Sequence, residues 1–278
     1  MEKILQLKAV LDGCDAVIIG AGSGLSASAG YEYAGAKFEE DFKDFIDKYG
    51  FTDLYSASFF EFTDQREKWA FWSRFIYANR YVMPPKPVYA NLLRAVQDKD
   101  YFVITTNVDH VFQRSGFDKQ RLFYTQGDYG LWQCATPCHS KTYDNETQVL
   151  QMLKEQRSMQ IPEELVPHCP VCNGMMEANL RKDGTFVQDE GWYRASQRYT
   201  DFLHNHSEGK VVYLDLGSGM NTPAIFKYPF MQMTLANSQA TYVSINKGQN
   251  FTAREISQRS ILIDGDIGEV LEKLLAVE

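Results

Sequence analysis

Basic residues are in short supply: 28 lysines and arginines face 36 aspartates and glutamates, giving a net charge of −8 over 278 residues. Proteins that bind nucleic-acid phosphates generally need the opposite balance, so no nucleic-acid partner is expected. Long apolar runs are also missing. No segment approaches the roughly 20 apolar residues that cross a bilayer, and no membrane partner is expected. The opening Met1-Glu2-Lys3-Ile4-Leu5-Gln6-Leu7-Lys8 reads as an amphipathic helix and not as an export signal, which points to a cytoplasmic protein. Cysteines number only five, too few for a disulfide scaffold in a chain this long. Four of them fall into two close pairs, which in a reducing compartment favours metal, and Cys14 reads as a small buried residue. Neither an internal repeat nor a low-complexity tract is present.

What the chain does have is 44% hydrophobic residues, enough for one substantial core and a smaller module beside it. Ala16-Val17-Ile18-Ile19 is a β-branched apolar run followed at once by a glycine turn and by small residues suited to a helix. The runs at 101–105, 211–216, 240–245 and 260–263 likewise end in polar loops, and helix-length segments separate them. This pattern predicts an α/β fold, a doubly wound, Rossmann-like parallel sheet whose ligands bind at the strand carboxyl ends. Residues from about 37 to 85 read as a helical insertion rich in aromatics, mostly core, which Pro84, Pro85 and Pro87 close. The expected domains are 1–132 with 182–278, and a small Cys-pair module at 133–181.

Gly20-Ala21-Gly22-Ser23-Gly24 follows the first strand, where glycines allow a tight turn and let backbone amides approach a pyrophosphate. An ordinary glycine-rich turn is the equal alternative on this segment alone. In Thr105-Thr106-Asn107-Val108-Asp109 an amide and a carboxylate two apart beyond a strand suit a ribose hydroxyl and a carboxamide, although an Asx turn is the commoner reason for such a pattern. Cys134, Cys138, Cys169 and Cys172 offer two close thiol pairs able to close a tetrahedral, structural zinc site. His139 and His168 flank them as substitutes for one thiolate.

These motifs, with Tyr124-Thr125-Gln126-Gly127, Gly217-Ser218-Gly219, Ile245-Asn246 and the closing Gly265-Asp266-Ile267-Gly268, resemble the sirtuin family in order over essentially the whole chain. The resemblance implies NAD as substrate. It places Ala21, Gly22 and Ser26 near the pyrophosphate, Asn107 at the nicotinamide-side ribose, and Val108 with Asp109 at the carboxamide. Gly217, Ser218 and Asn246 would hold phosphate and the adenosine ribose. Departures are instructive. The glycine loop is longer, Tyr31-Glu32-Tyr33 replaces the family's Pro-Asp-Phe-Arg, Thr106 replaces a glutamine, and Gln126 stands where sirtuins keep a catalytic histidine.

Glutamine orients a ribose hydroxyl but does not take its proton, and a lost general base typically costs about 10²–10⁴ in rate. Nicotinamide cleavage is therefore expected to survive while deacylation does not. In the glutamine and the longer loop the chain resembles the macrodomain-linked bacterial sirtuins (class M). That resemblance implies protein ADP-ribosylation by Asn107, Gln126 and Asp109, with a lipoyl-carrier protein as acceptor and a macrodomain protein as a further partner. The alternatives are an NAD-dependent lysine deacylase and a non-catalytic NAD or ADP-ribose sensor.

Overall fold

Every residue of the first apolar run is buried, and in the computed structural model, which describes residues 1–277, it forms strand β1 (Ala16–Ala21) at the centre of the molecule. Strands β2 (Tyr101–Thr105), β3 (Leu122–Tyr124), β7 (Val211–Leu216), β8 (Thr241–Asn246) and β9 (Ser260–Asp264) join it. They build a six-stranded sheet in the order β3-β2-β1-β7-β8-β9, with every pairing parallel. A strand buried on both faces needs the near-continuous apolar sequence that β1 carries. On one face Val17, Ile19 and Ala21 pack with Leu7, Leu92 and Leu271. On the other, Ile18 packs with Phe226 and Phe230.

The flanking helices show why their residues choose helix. In Ile267–Leu275 the buried Ile267, Val270, Leu271 and Leu274 recur at helical spacing, and the Asp266 carboxylate caps the first turn by accepting from the Glu269 amide. Helix Gln65–Ile76 is capped by Asp64 in the same way and runs into a π-helical turn, Tyr77–Tyr81. The proline segment then ends it, and the next helix, Val88–Val96, starts directly after Pro87. The aromatic insertion shares a second core with the segment that carries the cysteines: Phe42, Phe45, Phe71 and Phe75 are almost fully buried in one cluster with Trp132, Val149 and Met152, whereas Phe59 stays 61% exposed.

A second, antiparallel sheet has the order β5-β4-β6, with β4 (Gly127–Cys134), β5 (Tyr143–Asp144) and β6 (Met176–Leu180). It begins at Gly127, ahead of the residue-133 boundary expected from the cysteines. Gly127 has φ +99°, and an added Cβ would lie 1.9 Å from the Asn179 carbonyl oxygen, so only glycine lets the chain turn here into β4. No helix among the described residues is long and apolar enough to cross a membrane.

Candidate active site and cysteine cluster

The chain proceeds from β1 to one side of the sheet and later resumes on the other with β7, so a crevice opens between the carboxyl ends of these two strands. Two glycine loops meet there. Gly22 donates its N–H to the Leu216 carbonyl and Gly24 to that of Gly217, both at 3.0 Å. The approach is close: a Cβ on Gly22 would come within 2.6 Å of the Gly217 oxygen. Gly22 also opens the short helix Ser23–Ala29.

The loop after β2 is bound to this turn. Asn107 Nδ2 donates to the Gly22 carbonyl at 2.9 Å, and the Thr106 N–H and Thr105 hydroxyl both donate to the Ala21 carbonyl. Asp109 turns inward, where its Oδ2 accepts from the Ser26 hydroxyl at 2.5 Å and its Oδ1 from the Val111 N–H at 3.1 Å. Tyr89 bonds the same serine at 3.0 Å. Burial pushes the Asp109 carboxyl above its ordinary range, because the loss of water outweighs these donors.

A cleft of about 520 Å³ brings together Ser26, Asn107, Val108, Asp109 and Gln126. Gln126 precedes β4, its carbonyl accepts from the Arg181 N–H at 2.9 Å, and none of the described residues hydrogen-bonds its side-chain amide. Ala21, Gly22, Gly217, Ser218 and Asn246 lie at the adjoining strand ends and outside the cleft lining, which this part of the chain reaches through Gly219. Ser218 is 4% exposed; its hydroxyl donates to Asp215 Oδ2 at 2.7 Å, and its carbonyl accepts from Asn246 Nδ2 at 2.9 Å. The Ser26 hydroxyl thus serves Asp109 on the neighbouring loop and the Ser218 hydroxyl its own loop, which leaves the backbone amides of the glycine turns free of that task and able to meet phosphate oxygens.

Sequence reasoning missed three features. Tyr33, Tyr55 and Tyr129 converge on the cleft from distant segments. Burial pushes the Tyr33 and Tyr129 hydroxyls up, so both stay protonated as hydrogen-bond donors. Beneath the second glycine loop, Asp215 accepts from Lys227 Nζ and the Tyr242 hydroxyl, each at 2.8 Å, and both charged side chains are 0% exposed. One charged residue inside an otherwise apolar strand was the available signal. Beside the Asn107 loop, buried Asp128 pairs with His110 Nδ1 at 2.5 Å and with Arg80 Nε at 2.7 Å. Desolvation raises the Asp128 carboxyl, but the bond and charge of His110, the Arg80 charge and the Gly130 N–H together bring it below its ordinary range.

The four paired cysteines form one cluster, with all four Sγ atoms within 4.8 Å of one another. The pairs Cys134–Cys172 and Cys138–Cys169 are each 3.6 Å apart. A tetrahedral zinc with bonds of about 2.3 Å to sulfur requires sulfurs about 3.8 Å apart, so the donor set fits this ion and leaves no open position. His139 Nδ1 lies 3.0 Å from the Cys138 sulfur, while its Nε2 meets the Tyr143 hydroxyl at 2.8 Å.

No protein-family model matches the chain. Solved Sir2 structures share its architecture: one Sir2 enzyme covers 99% of this chain and 96% of its own, with a TM-score of 0.61 at 17% identity. A Sir2 complex with a p53 peptide and NAD⁺ gives a TM-score of 0.58 at 16% identity, covering 98% and 97%. These show the fold. By sequence, a probable bifunctional ADP-ribose hydrolase/ADP-ribosyltransferase of Fusarium oxysporum f. sp. cubense is 27% identical over 95% of this chain, which spans 46% of that protein. A protein ADP-ribosyltransferase of Staphylococcus aureus (strain Mu50) is 40% identical over 270 residues, 97% of this chain and 86% of the relative. On that identity and coverage, and on the sirtuin architecture around its crevice, the chain belongs to the family of the staphylococcal protein ADP-ribosyltransferase.

Proposed function

We propose that this chain is an NAD-dependent protein ADP-ribosyltransferase that releases nicotinamide and transfers ADP-ribose to a protein acceptor. The observation that carries the reading is the cleft lining, which gathers Asn107, Asp109 and Gln126 and, among the described residues, includes no histidine. Ala21, Gly22, Ser26, Gly217, Ser218 and Asn246 then belong to the pyrophosphate and adenosine end, and Asn107, Val108 and Asp109 to the nicotinamide end. Residues 1–126 with 182–278 serve as the NAD-binding part and 127–181 as the zinc-held module, with the first boundary at Gly127, where the small sheet begins, in place of residue 133.

Asn107, fixed by its bond to Gly22, supports the ribose on which positive charge develops as the bond to nicotinamide breaks. The Gln126 amide orients a ribose hydroxyl without accepting its proton, so the reaction ends with the acceptor's nucleophile on the anomeric carbon. The staphylococcal relative is described as a protein ADP-ribosyltransferase, in keeping with this chemistry. The glutamine supports a likeness to the macrodomain-linked class M sirtuins. A lipoyl-carrier protein is the first acceptor to try, a macrodomain protein the first partner, and the cytoplasm the expected location.

A paired assay tests the reading by following labelled ADP-ribose transfer and acetate release on the same preparations. Asn107→Ala is expected to lower all NAD-dependent activity, and Gln126→Ala to weaken transfer without any gain in deacetylation. Gln126→His, which restores a base, is expected to raise deacetylation of an acetyl-lysine peptide. Deacetylation by the unaltered protein at rates typical of histidine-bearing sirtuins would overturn the proposal in favour of a lysine deacylase. NAD binding without nicotinamide release in the presence of acceptor proteins would point instead to a sensor.

A further inference from the structure

The Asn107–Asp109 loop is held on two sides. Toward the glycine turn, Asn107 bonds Gly22 and Asp109 bonds Ser26. Toward the small sheet, the Tyr129 N–H donates to the Val108 carbonyl at 2.9 Å, and His110 pairs with Asp128. Both oxygens of that buried carboxylate are occupied. Oδ2 meets His110 Nδ1 at 2.5 Å, and Oδ1 accepts from Arg80 Nε and the Gly130 N–H, each at 2.7 Å. Arg80 lies on the π-helical turn, and the carbonyls of Arg80 and Tyr81 accept from the Arg114 guanidinium at 2.6 and 2.9 Å. Arg114 ends the four-residue helix that starts directly after His110. The contacts therefore close a ring: His110, Asp128, Arg80, Arg114 and back along the backbone to His110.

One backbone feature shows that this ring works against resistance. His110 has φ +62°, the left-handed region, which costs most side chains roughly 1–2 kcal/mol, is freely adopted by Gly, and among the others is met most often in Asn, Asp and His. A strained residue persists only where its surroundings over-determine it. Here those surroundings are the paired carboxylate and the fixed arginines. Without Asp128 the His110 side chain loses its partner in the ring, and the turn that directly follows Asn107-Val108-Asp109 keeps only the Arg114 contacts and the Val111 N–H to Asp109 bond.

We infer that His110, Asp128 and Arg80 are positioning residues, a tether from the aromatic insertion and the small sheet that sets where the Asn107–Asp109 loop stands in the cleft. The inference rests on the proposed function for the activity it affects, and goes beyond it by assigning residues that do not line the cleft. Misplacing reacting groups by about 1 Å can cost about 10²-fold in rate.

Three substitutions of His110 separate the tether from the strain. His110→Gly removes the tether and accommodates positive φ. His110→Asn accommodates positive φ and keeps a side-chain N–H for Asp128, whereas His110→Ala removes the tether and keeps the strain. With folding verified by melting temperature, His110→Gly is expected to lower the turnover number for nicotinamide release by about tenfold or more. His110→Asn should restore most of it, and His110→Ala should be the least stable of the three. By calorimetry, His110→Gly should weaken NAD binding several-fold and ADP-ribose binding less, because both ligands carry the ribose that Asn107 meets and only NAD carries the nicotinamide that Val108 and Asp109 meet. A folded His110→Gly protein with parental turnover and a parental ratio of NAD to ADP-ribose affinity would overturn the inference. So would a folded His110→Asn protein as slow as His110→Gly, which would make the imidazole itself the needed group. If the parent releases no nicotinamide, the proposed activity fails, and the comparison of the two ligands still decides the tether.

Discussion

Replacing Gly22 by alanine adds one methyl group where the two glycine loops touch. The backbone at Gly22, φ −114° and ψ −175°, is open to any residue, so the whole effect comes from the added Cβ. That atom would lie 2.6 Å from the Gly217 oxygen and 2.8 Å from Ser218 Cα, whereas ordinary contact starts near 3.4 Å, so the loops must part by about 0.8 Å. Neither neighbour is a side chain that swings away. Separation also strains the Gly22 to Leu216 and Gly217 to Ile245 hydrogen bonds, each 3.0 Å long. Overpacking of this kind costs about 1–3 kcal/mol. If the cost falls on stability, the melting temperature drops by about 2–5 °C for a chain of this size. If it falls on the bound state, NAD affinity drops by roughly 5- to 150-fold. Thermal melts and calorimetry with NAD, run beside Gly13→Ala, whose Cβ meets only the Ala9 oxygen at 3.4 Å, separate the two. A Gly22→Ala protein with the parent's melting temperature and the parent's affinity for NAD would refute the close-approach argument.

Three further outcomes are expected. Purified, reduced protein should contain about one zinc per chain, and a strong chelator should lower its melting temperature, because binding energy at such a site is folding energy; metal analysis that finds none rejects the site. The folded pKa of Asp109 lies above the unfolded value, so its contribution to stability is fullest below about pH 4 and is lost as pH rises through the folded pKa. Asp109→Asn should therefore raise the melting temperature at pH 7 more than at pH 4 while lowering nicotinamide release, and equal shifts at both values would contradict the assignment. Lys227→Met strands the buried Asp215 carboxylate and should cost about 3–5 kcal/mol in urea unfolding, only part of it regained when Asp215→Leu is added, because the Tyr242 and Ser218 hydroxyls then lose their acceptor; a cost below about 1 kcal/mol would show that Asp215 is not left uncompensated by the loss of Lys227.

The parallel sheet was legible because β1, β2 and β7 are apolar, β-branched runs that end in polar loops, a pattern set within a few residues. Strand β3 was not legible: three residues on an edge carry no period, and pairing with β2 alone defines them. The cysteine pairs announced their cluster through spacing. Ser26 shows what such reading leaves out: its position suggests the pyrophosphate end, and only the structure shows its hydroxyl bonded to Asp109, 83 positions away. Tyr33, Tyr55 and Tyr129 come from three separate elements, and no local pattern says that they share a wall. Likewise His110 followed a motif that drew attention to its neighbours, and only the fold places Asp128 and Arg80 beside it.

The pairing of β1 with β7 has a consequence for how the protein is made. Ala16 lies beside Val211, and the crevice sits on this seam, so its two halves are 195 positions apart in the chain. At about 5–20 residues per second, the ribosome delivers the second half some 10–40 s after the first. From the emergence of β2 until that of β7, β1 has a partner on one side only. Its other edge, apolar and unpaired, is a template for wrong partners. Nascent-chain aggregation should therefore be most severe for chains stalled between about residues 105 and 211, and should ease once β7 has emerged.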